Sequence, residues 1–259
     1  MSGNSLTNGV VLITGASSGI GAACARAFAK EGAQLLLAAR RMERLEAMEV
    51  DLLEAGAPAV HGFRLDVQDR SAVERAVAEL PKEWQAIDVL VNNAGLSRGL
   101  EKLWEGKTED WEEMIETNVK GLLWVTRAVV RGMVERKRGH VINLGSTAGE
   151  LAYAGGAVYC GSKAAVKLIN DGLRADLMGT PVRVTCIEPG MVETEFSEVR
   201  FHGDKDRAGK VYSNITPLTA DDVADAVVWA ASRPARVNIA HMLMTTIDQA
   251  NSLVFNRRA

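Results

Sequence analysis

The feature that most restricts the fold is a regular alternation of short, continuous apolar runs with longer amphipathic stretches, joined by brief connections. The first run, Val10–Thr14, has no polar face, which marks a strand covered on both sides. A glycine-bearing segment over 15–21 follows and opens directly into an amphipathic stretch that Gly32 closes as a C-terminal cap. The same change of period recurs after the apolar runs at 34–39, 59–67, 87–95 and 140–145. Strands and helices alternating at this spacing predict right-handed βαβ units. In such sheets ligands sit outside the C-terminal ends of the strands. On that rim this sequence sets Gly15, Asp66, Asn92 and Ser146.

Composition bounds what the rim can serve. The chain has 259 residues, 47% hydrophobic and 24% charged, enough to bury a large core as one α/β domain over 1–259. Net charge is -3 without a basic block, which argues against nucleic acid or an anionic membrane surface and leaves a small molecule as the natural partner. No apolar stretch approaches the ~18 residues of a membrane span, and residues 1–9 lack a secretory pattern, so a cytoplasmic location is expected. Cys24, Cys160 and Cys186 show no paired spacing, which fits a reducing compartment. His61, His140, His202 and His241 show no ligand spacing, so no metal is expected.

The turn over 15–21 reads GlyAlaSerSerGlyIleGly. Glycines there permit positive φ and close backbone approach, so that amide groups and a helix N-terminus can face a pyrophosphate. The spacing departs from GxGxxG, but its place between strand and helix predicts dinucleotide binding. The second strand, 34–39, ends at Arg40-Arg41 rather than at the acid that would hydrogen-bond the ribose hydroxyls of NAD. A guanidinium can clamp a 2′-phosphate that a carboxylate would repel, so NADP is the expected cofactor, with Arg40 as the stronger candidate. Asp66-Val67 at the third strand end can meet the adenine. The fold class is therefore α/β, a single-domain Rossmann-type doubly wound parallel sheet with helices on both faces.

A second constellation lies further on. Tyr159 and Lys163 are four apart in a stretch of helical periodicity, so they share one helix face, one turn apart. A phenol near pKa 10 is a poor base at neutral pH, and lowering it by about three units needs roughly 4 kcal/mol from a neighbour such as an ammonium. Ser146, beyond the apolar run 140–145, can donate to a carbonyl oxygen held near Tyr159. Asn118 lies in the helical stretch 111–127, where with Gly121 it should loosen the hydrogen-bond ladder.

ThrGlyAlaSerSerGlyIleGly at 14–21, AsnAsnAlaGly at 92–95, Asn118 with Gly121, Ser146, Tyr159 with Lys163, and ProGly at 189–190 followed by Thr194 together resemble the short-chain dehydrogenase/reductase family over nearly the whole length. The resemblance implies that Tyr159 is the acid/base and that Ser146 orients the carbonyl. It further implies that Lys163 binds the nicotinamide ribose and depresses the tyrosine pKa, while Asn118 holds a water that links Lys163 to solvent. For the cofactor it implies contacts from Ser17, Ser18, Gly19 and Ile20 in the turn, and from Asn93, Ala94 and Gly95 after the fourth strand. Pro189, Gly190, Val192 and Thr194 complete that set, with Thr194 on the carboxamide. In this scheme hydride passes between nicotinamide C4 and the carbonyl carbon while Tyr159 moves the proton.

Residues 191–212 form the stretch in which family members close a mobile lid, and here it carries Arg200, His202, Lys205 and Arg207 among acids. Its ThrGluPheSer and ValArg, with the later ThrProLeuThrAlaAspAspVal run, are similar to the NADP-dependent 3-hydroxy acid, serine-type, dehydrogenases. That likeness implies an NADP-dependent oxidation of a small 3-hydroxy acid such as L-serine or 3-hydroxypropionate. Arg200 would pair with the substrate carboxylate, and Glu150, Tyr153 and Met191 would help line the pocket. A general ketone or aldehyde reductase would share the same cofactor half, and a non-catalytic nucleotide sensor would have no need of the Ser146, Tyr159 and Lys163 set. The resemblance also implies a homotetramer, and Leu253, Val254 and Phe255 in the tail are expected to be exposed at an interface.

Overall fold

The computed structural model describes residues 6–258. In chain order these form β1 (Val10–Thr14), α1 (Gly19–Lys30), β2 (Gln34–Ala39), α2 (Met42–Glu54), β3 (Val60–Arg64), α3 (Arg70–Ala78), β4 (Ile87–Asn92), α4 (Thr108–Ile115) and α5 (Leu122–Glu135). They continue as β5 (His140–Leu144), α6 (Ala157–Asp176), β6 (Arg183–Pro189), α7 (Phe196–Arg200), α8 (Lys205–Val211), α9 (Ala220–Ala231) and β7 (His241–Met244). All pairings are parallel, and the 7-stranded sheet runs β3-β2-β1-β4-β5-β6-β7.

Strand pleating explains why the apolar runs are continuous. In β1, Val11 and Ile13 point into a core with Phe28 of α1, Leu45 and Leu52 of α2, and Val223 and Val227 of α9. Val10 and Leu12 point the other way, toward Val73 of α3 and Val125, Val129 and Met133 of α5. Both faces are covered, so β1 is apolar up to its last residue, Thr14, whose hydroxyl is buried in hydrogen bonds. The chain winds outward from β1 to one side, then returns to β4 and winds to the other. That reversal opens a crevice above the C-terminal ends of β1 and β4.

Several boundaries differ from the sequence pattern. The third strand stops at Arg64 rather than at Asp66-Val67, and the fourth stops at Asn92, so the polar residues of both segments stand in loops above the sheet. The last strand ends at Met244, not at residue 247. The helix expected over 111–127 is interrupted by a π-helical turn, Glu116–Gly121. The lid is two short helices, α7 and α8, and its base is tied to the tail. Asp248 accepts from Thr216 N at 2.8 Å and from Arg258 at 2.9 Å, and Gln249 Oε1 accepts from Met191 N at 2.8 Å. Phe255 is half-buried and pairs with Gln249 in an isolated bridge, while Leu253 and Val254 are exposed. Among the described residues no helix is long and apolar enough to cross a membrane.

Candidate active site

The crevice is a cleft of about 350 Å³ whose floor is the glycine turn. Gly15 (φ 64°) and Gly19 (φ 52°) both occupy the left-handed region. A Cβ at Gly21 would stand 2.3 Å from Gly15 O and 2.5 Å from Asn93 Nδ2, so only glycine lets α1 begin so close to the turn. Asn93 Nδ2 donates to Thr14 O at 2.9 Å, and Thr14 Oγ1 accepts from the amides of Asn93 and Ala94 at 3.1 and 3.0 Å. The ends of β1 and β4 are thereby stitched together beneath the cleft. The N-terminus of α1 has no side-chain cap and no acid in its first turn, and Gly19 and Ile20 line the cleft. This is a cradle for a phosphate anion.

The cationic wall comes from the start of α2. Arg41 donates to Ser17 Oγ at 3.1 and 3.2 Å and to Ser18 Oγ at 2.7 Å, and so lies across the glycine turn. Arg40 also lines the cleft, exposed, so the better-fixed guanidinium is Arg41 and not Arg40. Both Arg41 and Arg44 reach Glu195 of the lid, at 3.2 and 2.7 Å. The Arg44 hydrogen bond, against a partial opposing effect of burial and with help from Arg41, holds the Glu195 carboxyl below its ordinary value. Asp66 and Val67 line the same end, where Asp66 Oδ1 accepts from Gln68 N at 3.1 Å.

At the other end stand the catalytic candidates. Tyr159 and Lys163 lie on α6, buried and one turn apart. Lys163 Nζ donates to Leu144 O at 2.8 Å, and a Cβ at Gly95 would lie 3.5 Å from it. Gly149 is tightly constrained, since its Cβ would stand 2.8 Å from the Lys163 backbone, so α6 packs directly on the turn after β5. Ser146 begins that turn, accepting from Ala148 N at 3.1 Å and reaching Pro189 O at 3.4 Å. Asn118 sits in the π turn, accepts from Leu96 N and donates to Leu96 O, each at 2.8 Å, and donates to Ser162 Oγ at 3.0 Å.

Burial pushes the Tyr159 phenol up, Tyr153 adds to this, and the Arg200 guanidinium and the Ser146 hydroxyl pull it down without reversing the shift. Lys163, expected to lower the phenol, is not among its leading influences. Its own pKa is brought down to about 8 by burial.

Arg200 reaches in from the C-terminus of α7. It is 9% exposed, donates from Nη2 to the Tyr153 hydroxyl at 3.1 Å, and lies over the rings of Tyr159 and Phe196 at 5.4 and 5.2 Å. Its Nε has no hydrogen-bond partner, and among the described residues no carboxylate pairs with it. Arg200 is the lid cation expected to meet the substrate carboxylate, and the structure buries it against the phenol.

The remaining residues divide. Pro189, Gly190, Val192 and Thr194 line the cleft with Ser17, Ser18, Asn93, Ala94 and Gly95. Glu150 does not: it pairs with Lys167 on the outer side of α6. Met191 is outside the lining too, held by Gln249 and Leu218, and Tyr153 reaches the site through Arg200. Residues the sequence reading passed over are Arg44, Glu195, Phe196 and Val199. Arg44 follows Arg41 by three positions at the start of a helix, a spacing that signals a shared face. For Glu195 only adjacency to Thr194 offered a hint.

An anion cradle and cation wall at one end of the crevice, with a serine, a tyrosine and a lysine converging at the other, define a nucleotide-dependent oxidoreductase that interconverts hydroxyl and carbonyl groups. The chain belongs to the short chain dehydrogenase family, which matches it over residues 9–205. It is 52% identical over 242 residues to the NADP-dependent 3-hydroxy acid dehydrogenase YdfG of Salmonella typhi, covering 93% of this chain and 96% of that protein. It is 43% identical over 243 residues to a serine 3-dehydrogenase of Agrobacterium fabrum, covering 94% and 96%. The solved closed form of a serine dehydrogenase complexed with NADP+ superposes with a TM-score of 0.90 at 47% identity, covering 96% of this chain and 100% of that one.

Proposed function

We propose that this chain is an NADP-dependent dehydrogenase of small 3-hydroxy acids, with L-serine and 3-hydroxypropionate as the leading candidates. The observation that carries the substrate class is Arg200, a buried cation without a carboxylate partner, set against Tyr159. Drying a guanidinium without pairing it is costly, and an incoming carboxylate removes that cost. The two closely similar relatives named above, one a 3-hydroxy acid and one a serine dehydrogenase, support the same class. The cofactor half supports NADP through Arg40 and Arg41, which follow the end of β2 in place of the acid that would favour an unphosphorylated ribose, and through Arg44 beside them on α2.

Bound NADP+ supplies the acceptor for the hydrogen that leaves the hydroxyl-bearing carbon with its electron pair. The protein's groups do the rest. Arg200 anchors the acid's carboxylate, which leaves the 3-hydroxyl directed at Ser146 and Tyr159. Ser146 donates to the substrate oxygen, and Tyr159, whose burial-raised phenol would be favoured as phenolate by the positive charges of bound NADP+ and Lys163, takes its proton while the carbonyl forms. Lys163, charged below about pH 8, binds the ribose and adds positive charge beside the phenolate. Phe196 and Val199 close over the site and exclude water.

The test is initial rates of NADP+ reduction, with an NAD+ control, across L-serine, 3-hydroxypropionate, 3-hydroxyisobutyrate and plain secondary alcohols. Turnover of the acids with NADP+ preferred supports the reading. Turnover of the alcohols alone would retain the oxidoreductase and discard the carboxylate anchor. We further propose a homotetramer, supported by exposed Leu168, Met178, Ile247 and Leu253; a monomer by sedimentation at micromolar concentration would remove it.

A further inference from the structure

The lid helix α7 is held at both ends, and the two holds belong to different halves of the site. At its N-terminus Glu195 is gripped by Arg41, which lines the 2′-phosphate end of the cleft, and by Arg44 from the next turn of α2. At its C-terminus Arg98, itself paired with Glu113, donates to Val199 O, and Gly99 N donates to Arg200 O at 2.9 Å. At that second hold the Arg200 side chain lies over Tyr159. One short, stiff helix therefore spans from the arginines of the cofactor to the arginine of the substrate.

We infer that Glu195 is a positioning residue that couples recognition of the 2′-phosphate to closure of the substrate lid, through Arg41 and Arg44. The inference rests on the reading of the site as NADP-dependent. Two guanidiniums, Arg41 and Arg44, face the Glu195 carboxylate, and Arg40 lines the same cleft, which leaves positive charge for an incoming phosphate without releasing Glu195. Arg41 is already turned toward the glycine turn by Ser17 and Ser18, so a phosphate arriving there meets a guanidinium whose remaining nitrogen is on Glu195. A phosphate pins the arginines, and pinned arginines hold Glu195 at less entropic cost than free ones. NAD, which lacks the phosphate, leaves them loose.

The experiment is hydrogen exchange of the 196–200 backbone amides in the full chain, free and saturated with NADP+ or NAD+, for the native enzyme, Glu195→Gln and Arg44→Met. Their side chains are about two-fifths exposed, so the variants fold. The native enzyme is expected to show stronger lid protection with NADP+ than with NAD+, and both variants are expected to lose that difference while still binding NADP+. With NADP+ saturating, Glu195→Gln is expected to raise KM for the 3-hydroxy acid about three- to tenfold with kcat within about twofold, and Glu195→Asp to recover part of it. Unchanged lid protection and KM in Glu195→Gln would overturn the coupling and leave the NADP reading intact. A native enzyme that binds NAD+ as tightly as NADP+ would overturn the NADP reading and the coupling with it.

Discussion

Replacing Arg200 with methionine separates two reasons a guanidinium can be buried. If it were there to hold the fold, its loss would lower stability and activity together. Its surroundings indicate otherwise: one neutral hydroxyl, two aromatic faces and an unpartnered Nε. A cation so placed costs stability, because burial removes its water and the cation–π contacts offset only part of the loss. A substrate carboxylate about 4 Å away would gain about 4 kcal/mol at an effective dielectric near 20. Drying that carboxylate consumes part of this, leaving about 2–3 kcal/mol, or a 30- to 150-fold effect. Arg200→Met should therefore lower kcat/KM for 3-hydroxy acids by about 30- to 150-fold, chiefly through KM, and leave Tm unchanged or higher. Secondary alcohols without a carboxylate should change by less than about threefold. Initial rates with NADP+ and a thermal melt of the same preparations decide it. Equal losses for acids and alcohols, together with a lower Tm, would refute the argument and make Arg200 a packing residue.

Other perturbations follow from the same geometry. Tyr159→Phe should lower kcat by about 10²–10⁴-fold with NADP+ affinity nearly unchanged; a variant that kept its turnover would remove Tyr159 from the chemistry. Arg41→Ala should weaken NADP+ by about 10- to 100-fold and NAD+ by less than about twofold in calorimetry, the difference being one charge-assisted contact. Equal weakening would mean that Arg41 only shapes the glycine turn. Lys163 has a folded-state pKa of about 8 against 10.5 for the free side chain, so its burial costs stability in full below about pH 8. That cost fades as pH rises from about 8 toward 10.5, and it amounts to about 3 kcal/mol. Lys163→Met should be the more stable protein at pH 7, with the gap to the native enzyme closing by pH 10.5; a gap that did not narrow would contradict the assignment.

The periodic parts of this chain were legible because strand and helix patterns are local. Val10–Thr14 announces a covered strand, and Gly15 to Gly21 its turn, without reference to anything distant. Tyr159 and Lys163 are legible for the same reason, being one helical turn apart. What the sequence concealed is which charges are dry. Arg200, His202, Lys205 and Arg207 look alike along the chain, yet only Arg200 among them folds under α7. Glu150 and Lys167 find each other across 17 residues, which took Glu150 away from the pocket for which it was expected. Proximity to the strand end favoured Arg40 over Arg41, and orientation could not be read from it: both line the cleft, but Arg41 stands at the very start of α2 and turns back over Ser17 and Ser18. Glu195 was hidden by 151 residues of separation from Arg44, closed only by the tertiary fold.

The π turn at Glu116–Gly121 bears on how this sequence can vary. A π turn is an α-helix carrying one residue too many, and a single deletion would repair the ladder. The repair would rotate everything before it by about 100° relative to α5 and swing Asn118 off Leu96. It would also disturb the close seat of Gly121 against Val67, where a Cβ would stand 2.7 Å from a methyl group. Shortening the segment therefore regularises the helix and dismantles the floor beneath Lys163. This segment can exchange residues across descendants far more easily than it can change its length, and any insertion or deletion that persists should fall in the loops on either side.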